Sequence, residues 1–169
     1  MIKMDRRSFL IFGSFVGLST YVNARQTSAF ENNFKEVKQT IAAVQAHMFP
    51  PMSKLPSAKK MNTIQFLFET VAHKSFDKDI RAFVIEGAKE LIVREKGKFI
   101  FMSDIEKEKA LREYEETNYG SAWLSRIMTL TMEGMFSDPI YGSNINETGW
   151  KVLNAYGGEP RPKTRYLDV

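Results

Sequence analysis

SAFENNFKEVKQTIAAVQAHMFPP, residues 28–51, reads as a single amphipathic helix with its own start and stop. Phe30, Phe34, Val37, Ile41, Val44 and Met48 recur at alternating steps of four and three, so at 3.6 residues per turn they draw one apolar stripe. Such a stripe needs a core to face. Ser28 and Glu31 form a capping box in which hydroxyl and carboxylate satisfy the first free backbone amides, and Pro50-Pro51 cannot continue the helix.

The same period governs the chain that follows. After a loop containing Pro56, a second helix is predicted from Ser57 or Ala58, burying Met61, Ile64, Phe68 and Val71. Asp77 is the expected cap of a third, in which Ile80, Phe83, Val84, Gly87 and Leu91 share a face and Gly97 supplies a residue tolerant of positive φ at the end. Gly87 lies on that buried face, which implies the close approach of another helix. Phe99-Ile100-Phe101-Met102 reads as a buried connector in preference to a strand. Ser103 and Glu106 make a second capping box, opening a charged helix through about Glu116 with Leu111 and Tyr114 as its apolar contacts. Tyr119-Gly120-Ser121 is read as a break before a last helix that turns Trp123, Leu124, Ile127, Met128, Thr131 and Met135 inward. The expected fold is all-α, with about five helices in one domain over residues 25–136 and an irregular C-terminal segment over residues 137–169.

Composition suits a packed domain: 169 residues, 43% apolar and 12% aromatic, without repeats. The chain has no cysteine, which excludes disulfides, thiolate zinc sites, iron–sulfur clusters and C-x-x-C-H haem attachment in this chain. Its formal net charge of +4 includes Lys3, Arg6 and Arg7 against Asp5, so without its N-terminus the protein is only mildly basic. Acidic and basic residues are interspersed along the helices, a pattern that fits a solvated surface and no nucleic-acid partner.

Residues 1–24 read as an export signal. A positive start precedes an apolar run from Phe9 to Val22, and Val22-Asn23-Ala24 offers small residues for cleavage after Ala24. Arg6 and Arg7, followed by Ser8, Phe9 and Leu10, resemble the twin-arginine signal, which addresses already folded proteins to the twin-arginine translocase. That route leads to the periplasm.

Candidate chemistry is sparse. His47 and His73 are the only histidines; a haem or metal ligand reading lacks supporting spacing and stands against capping and packing at helix ends. There is no G-x-S-x-G elbow for nucleophilic catalysis. Glu133 and Asp138 are the one carboxylate pair suited to acid–base work, against the alternative that both shape the turn at Pro139. The basic tail around Arg161, Lys163 and Arg165 fits either an anion or an extended arm lying along a partner.

The loop after the last helix is the least ordinary stretch. Phe136, Asp138, Pro139, Tyr141, Gly142, Gly149 and Trp150 place large rings on a backbone bent by glycine and proline, and those rings must be covered by the domain's own flank or by a second protein. Glu133-Gly-Met-Phe-Ser-Asp-Pro-Ile-Tyr-Gly-Ser-Asn, completed by Gly149-Trp150, together with Arg6-Arg7 and the helical body, resembles the gluconate 2-dehydrogenase subunit 3 family, most closely from Trp123 to Gly158. The resemblance implies a non-catalytic small subunit with no cofactor of its own. It pairs with a large FAD-containing dehydrogenase subunit of the glucose-methanol-choline type, and a cytochrome c subunit commonly receives the electrons. The small chain brings the export signal and stabilises the folded flavoprotein, and the loop from Phe136 to Trp150 is its expected interface. Two alternatives stand beside this reading: a transient export or maturation chaperone for the flavoprotein, and a stand-alone periplasmic enzyme using Glu133 and Asp138.

Overall fold

A computed structural model describes residues 29–165. The export signal at Arg6, Arg7, Phe9 and Leu10, the cap at Ser28 and the chain beyond Arg165 lie outside the described residues. Those described form an all-α domain of six helices without strands. They are α1 (29–48), α2 (Thr63–Ala72), α3 (Lys78–Arg94), α4 (Asp104–Glu115), α5 (Asn118–Phe136) and α6 (Thr148–Val152), with 3-10 turns at Phe99–Phe101, Pro139–Tyr141 and Ile145–Glu147. The sixth helix lies within the segment expected to be irregular.

α1 buries the stripe its sequence draws: Phe30, Phe34, Val37, Ile41 and Val44 join one core with residues of α2, α3, α4 and α5. α5 lies at the centre of the bundle and packs against α2, α3 and α4. Its Trp123 is fully buried, and the indole N–H donates to the Val84 carbonyl at 3.1 Å. Opposite it Gly87 has no side chain for a reason, since a Cβ there would stand 2.1 Å from Trp123 Cδ1. Tyr114 on α4 is also fully buried and donates its hydroxyl to the Gly87 carbonyl at 3.1 Å, so burial pushes the phenol well above its usual range. Between α1 and α5 the buried Gln45 amide donates to the Thr131 hydroxyl, itself bonded to the Ile127 carbonyl, so this polar pair is satisfied inside the core.

Helix ends follow their caps. Asp77 accepts from the amides of Asp79 and Ile80, and Ser103 and Glu106 complete the reciprocal box at the start of α4. α3 ends with two residues in the left-handed region, Lys96 and Gly97; Gly97 N–H donates to Ile92 and Lys96 N–H to Val93, the paired bonds of a Schellman motif. From α3, Arg81 donates to the carbonyls of Val71 and His73, satisfying the open end of α2.

Four local readings need correction. Residues 57–61 do wind, but Asn62 takes a left-handed conformation (φ 55°) and closes them with its own Schellman pair, Thr63 N–H to Ala58 and Asn62 N–H to Lys59, so α2 starts at Thr63. α2 also buries Phe66 and Leu67 with Val71, while Ile64 and Phe68 are half-buried, because α2 is covered from two sides: Phe68 stacks with Phe30 and packs on Phe34 of α1, and Phe66 lies against Gly134 of α5. Gly120 breaks nothing. Thr117 caps α5 by accepting from the Gly120 amide, and a Cβ on Gly120 would stand 2.0 Å from the Tyr114 carbonyl, so the glycine permits a close approach inside the first turn. Finally, Met128 is exposed, and Leu130 takes its place in the core.

Gly87→Ala therefore tests the α3–α5 contact. Overpacking against a ring with no room to turn is expected to cost about 1–3 kcal/mol, read as a lowered midpoint of thermal unfolding. An unchanged midpoint would mean that the two helices approach less closely than described.

Candidate functional site

The C-terminal segment is built from the end of α5 outward. Asp138 caps the 3-10 turn Pro139–Tyr141 by accepting from Ile140 N–H at 3.0 Å, with Pro139 at a position that needs no donor. Gly142 then takes φ 80°, and its carbonyl accepts from the Asn62 amide at 3.1 Å, tying the turn to the start of α2. Next come two polar residues with no exposed surface. Ser143 donates its hydroxyl to the Gly134 carbonyl at 2.7 Å; Asn144 donates to the Ser137 carbonyl and accepts from Gly149 N–H, each at 2.8 Å.

These bonds seat α6 on the end of α5. A Cβ on Gly149 would stand 2.2 Å from the Met135 carbonyl, so only glycine permits the contact. Trp150 is 8% exposed and donates its indole N–H to the Phe136 carbonyl at 2.7 Å. Gly157 lies flat on the ring's outer edge, where a Cβ would be 2.3 Å from Cη2, and the Arg161 guanidinium covers the ring at 4.7 Å from its centroid. Arg161 also donates to Asp138 at 2.6 Å and to Glu147 at 3.1 Å. Further along, Arg165 pairs with Glu69 of α2. The basic tail thus folds back on its own chain.

Of the residues singled out in the loop, Gly149 and Trp150 are buried within this chain, Phe136, Asp138, Pro139 and Tyr141 are half-buried, and Gly142 is exposed. Sequence reasoning missed Ser143, Asn144 and Arg161. The Ser-Asn pair directly after a turn glycine was a legible sign of side chains bonding to backbone, whereas nothing local marks Arg161 as a clasp.

Of the two carboxylates singled out for acid–base work, Asp138 is engaged by its own chain and Glu133 is exposed. Arg161's hydrogen bond holds the Asp138 carboxyl below its usual range, although partial burial opposes this. Glu133 stands on the exposed side of α5, its carboxyl pushed up by partial desolvation that Arg126 offsets. Asp138 has a structural duty with both oxygens engaged, one by Ile140 and one by Arg161. A depressed pKa in the folded state stabilises above the ordinary carboxylate range and is lost as pH falls through the depressed value. The chemical shift of the Trp150 indole beneath the Arg161 guanidinium is therefore expected to hold through the usual carboxylate titration and to change only at lower pH. Asp138→Asn should remove that acid transition; its persistence would place the titrating group elsewhere.

The histidines do not converge on a ligand. His47 bonds Glu108 of α4 at 2.8 Å, which together with Arg112 holds that carboxyl below its usual range, so His47 bridges helices and caps nothing. It also lines a cleft of about 470 Å³ with Met48, Leu111, Leu124 and Met128. His73 ends α2 and bonds the Ser75 hydroxyl at 2.7 Å. Among the described residues no three His, Cys, Asp or Glu side chains form a metal-binding group, and no helix is long and apolar enough to cross a membrane.

The sequence model of the family described as gluconate 2-dehydrogenase subunit 3 matches residues 35–158, from within α1 to Gly158, three residues short of Arg161. The chain belongs to the gluconate 2-dehydrogenase subunit 3 family. No curated protein and no solved structure matches it. The matched stretch takes in the helical core and the Asp138–Trp150 loop alike, so the segment that seats α6 is part of what the gluconate 2-dehydrogenase subunit 3 family has in common with this chain.

Proposed function

We propose that this gluconate 2-dehydrogenase subunit 3 chain is the non-catalytic small subunit of a periplasmic, FAD-dependent sugar or polyol dehydrogenase of the glucose-methanol-choline type. It carries the twin-arginine address at Arg6 and Arg7 for the assembled pair and stabilises the folded flavoprotein, whose electrons pass to a cytochrome c subunit. The observation that carries the reading is the family match over residues 35–158, since a subunit family implies a multi-subunit dehydrogenase. Arg6-Arg7 before an apolar run adds the route, and the lack of cysteine fits the division of labour, with the flavin held by the large chain.

The chaperone alternative shares every one of these features except permanence. The stand-alone enzyme has less support, because Asp138 is held by Arg161 and Ile140. The isolated chain is accordingly expected to be colourless and inactive towards sugars and polyols with an artificial electron acceptor. Bound flavin, haem or transition metal at one per chain, or turnover by the chain alone, would overturn the proposal.

A further inference from the structure

The three most exposed large apolar residues among those described are Met52, Ile105 and Phe101, at 96%, 84% and 82%. They stand on two loops at one end of the bundle: the connection from α1 to α2, and the 3-10 turn that leads into the first turn of α4. Pro50 and Pro51 share a cleft of about 330 Å³ with Asp104 and Lys107, which puts the two loops side by side. Both are held in shape. Ser53 N–H donates to the Pro50 carbonyl at 3.3 Å and the Ser53 hydroxyl to the Leu55 carbonyl at 2.7 Å; Phe101 N–H donates to Lys98 at 2.9 Å, and Phe99 anchors its turn in the core. Apolar side chains exposed on a fixed backbone lose little conformational freedom when a surface takes them up.

Charge says what kind of surface. Residues 49–62 and 95–107 hold six lysines, Lys54, Lys59, Lys60, Lys96, Lys98 and Lys107, against the three carboxylates Glu95, Asp104 and Glu106. The described residues carry twenty Lys and Arg and eighteen Asp and Glu in all, which leaves fourteen against fifteen for everything else, so the positive excess of the domain sits on these two loops. None of the six lysines pairs with a carboxylate among the described residues, and Glu106 is turned back to cap its own helix. The residue types favour lipid over protein. Protein interfaces are poor in lysine and rich in arginine, tryptophan and tyrosine, none of which these two loops contain. Apolar side chains interspersed with lysines suit the boundary of an anionic bilayer, where the first enter the headgroup layer and the second meet phosphates. A second copy of this chain on the same face would set lysine against lysine.

We propose that this end of the bundle rests on an anionic membrane surface, with Met52, Phe101 and Ile105 entering the headgroup layer and Lys54, Lys59 and Lys60 meeting lipid phosphates. The contact is peripheral and sensitive to salt. It is independent of the subunit reading above.

The test uses a chain beginning at Arg25, which keeps every described residue and omits the apolar run from Phe9 to Val22, itself able to bind lipid. Co-sedimentation with mixed phosphatidylglycerol and phosphatidylcholine vesicles is compared with phosphatidylcholine alone. The wild type is expected to bind only the anionic vesicles, and to leave them as salt rises to about 0.5 M. Reversing Lys54, Lys59 and Lys60 together to Glu should weaken binding by about tenfold or more, and so should Met52→Asp combined with Phe101→Asp. Reversing Lys74 and Lys78, exposed at the opposite end of the bundle, should do much less. All these side chains are exposed, so melting should move by no more than about 2–4 °C for each substitution. A wild type that ignores anionic vesicles at low salt, or binds neutral ones equally, would overturn the proposal. So would an equal loss on reversing Lys74 and Lys78, which would trace binding to net charge alone. If the Lys54, Lys59 and Lys60 reversal keeps vesicle binding but releases a co-purifying protein, this end is a protein contact and the membrane reading falls.

Discussion

Trp150→Ala is expected to release the whole C-terminal segment while leaving the five-helix core in place. Truncating a buried tryptophan costs about 3–5 kcal/mol, and here the Phe136 carbonyl would lose its indole donor and Arg161 the ring beneath it. For a domain of this size that corresponds to a midpoint lowered by roughly 10–20 °C. The main core does not include Trp150; it is composed of residues from Phe30 to Leu130, so helical circular dichroism at low temperature should largely persist. Trp150→Phe keeps a smaller aromatic ring and removes the indole donor with part of the buried ring, and should cost about 1–3 kcal/mol. A wild-type midpoint in Trp150→Ala would show that the ring does not hold the segment.

Replacing Arg6 and Arg7 together with lysine is expected to abolish periplasmic accumulation. Charge is retained; what disappears is the pair of planar guanidinium forks, which lysine does not reproduce. Under the proposed function the effect reaches a second protein, since the flavin-carrying chain has no address of its own and should remain in the cytoplasm, folded and active there. Fractionation followed by dehydrogenase assay reads both chains at once. Normal periplasmic amounts of both would contradict the twin-arginine reading; loss of this chain alone would contradict the shared export.

The sequence made the helices legible wherever a feature is local. The stripe from Phe30 to Val44, the caps at Asp77 and Ser103 and the glycine at Gly87 each state a nearest-neighbour or one-face requirement, and each is met. Gly120 misled because glycine serves equally for a turn and for a close approach, and only the position of the Tyr114 carbonyl decides between them. The start of α2 was placed too early, at Ser57 or Ala58, because a Schellman closure turns on one residue in the left-handed region, here Asn62, and asparagine signals that less clearly than glycine. The destination of Trp150 was open between flank and partner, since hydrophobicity alone does not say which surface covers a ring. Its cover comes in part from Arg161, which bonds Asp138 across 23 residues and Glu147 across 14, distances over which no periodicity operates. Tail arginines that read as a partner-binding arm are thus the closures of the domain's own loop.

The most direct test of the account is to purify this chain by a C-terminal tag from the periplasm under mild conditions and to quantify flavin and protein in the eluted complex. The account predicts one FAD-containing chain per copy of this chain, retained through size-exclusion chromatography with dehydrogenase activity. Elution of this chain alone, colourless and without a flavoprotein, would contradict it.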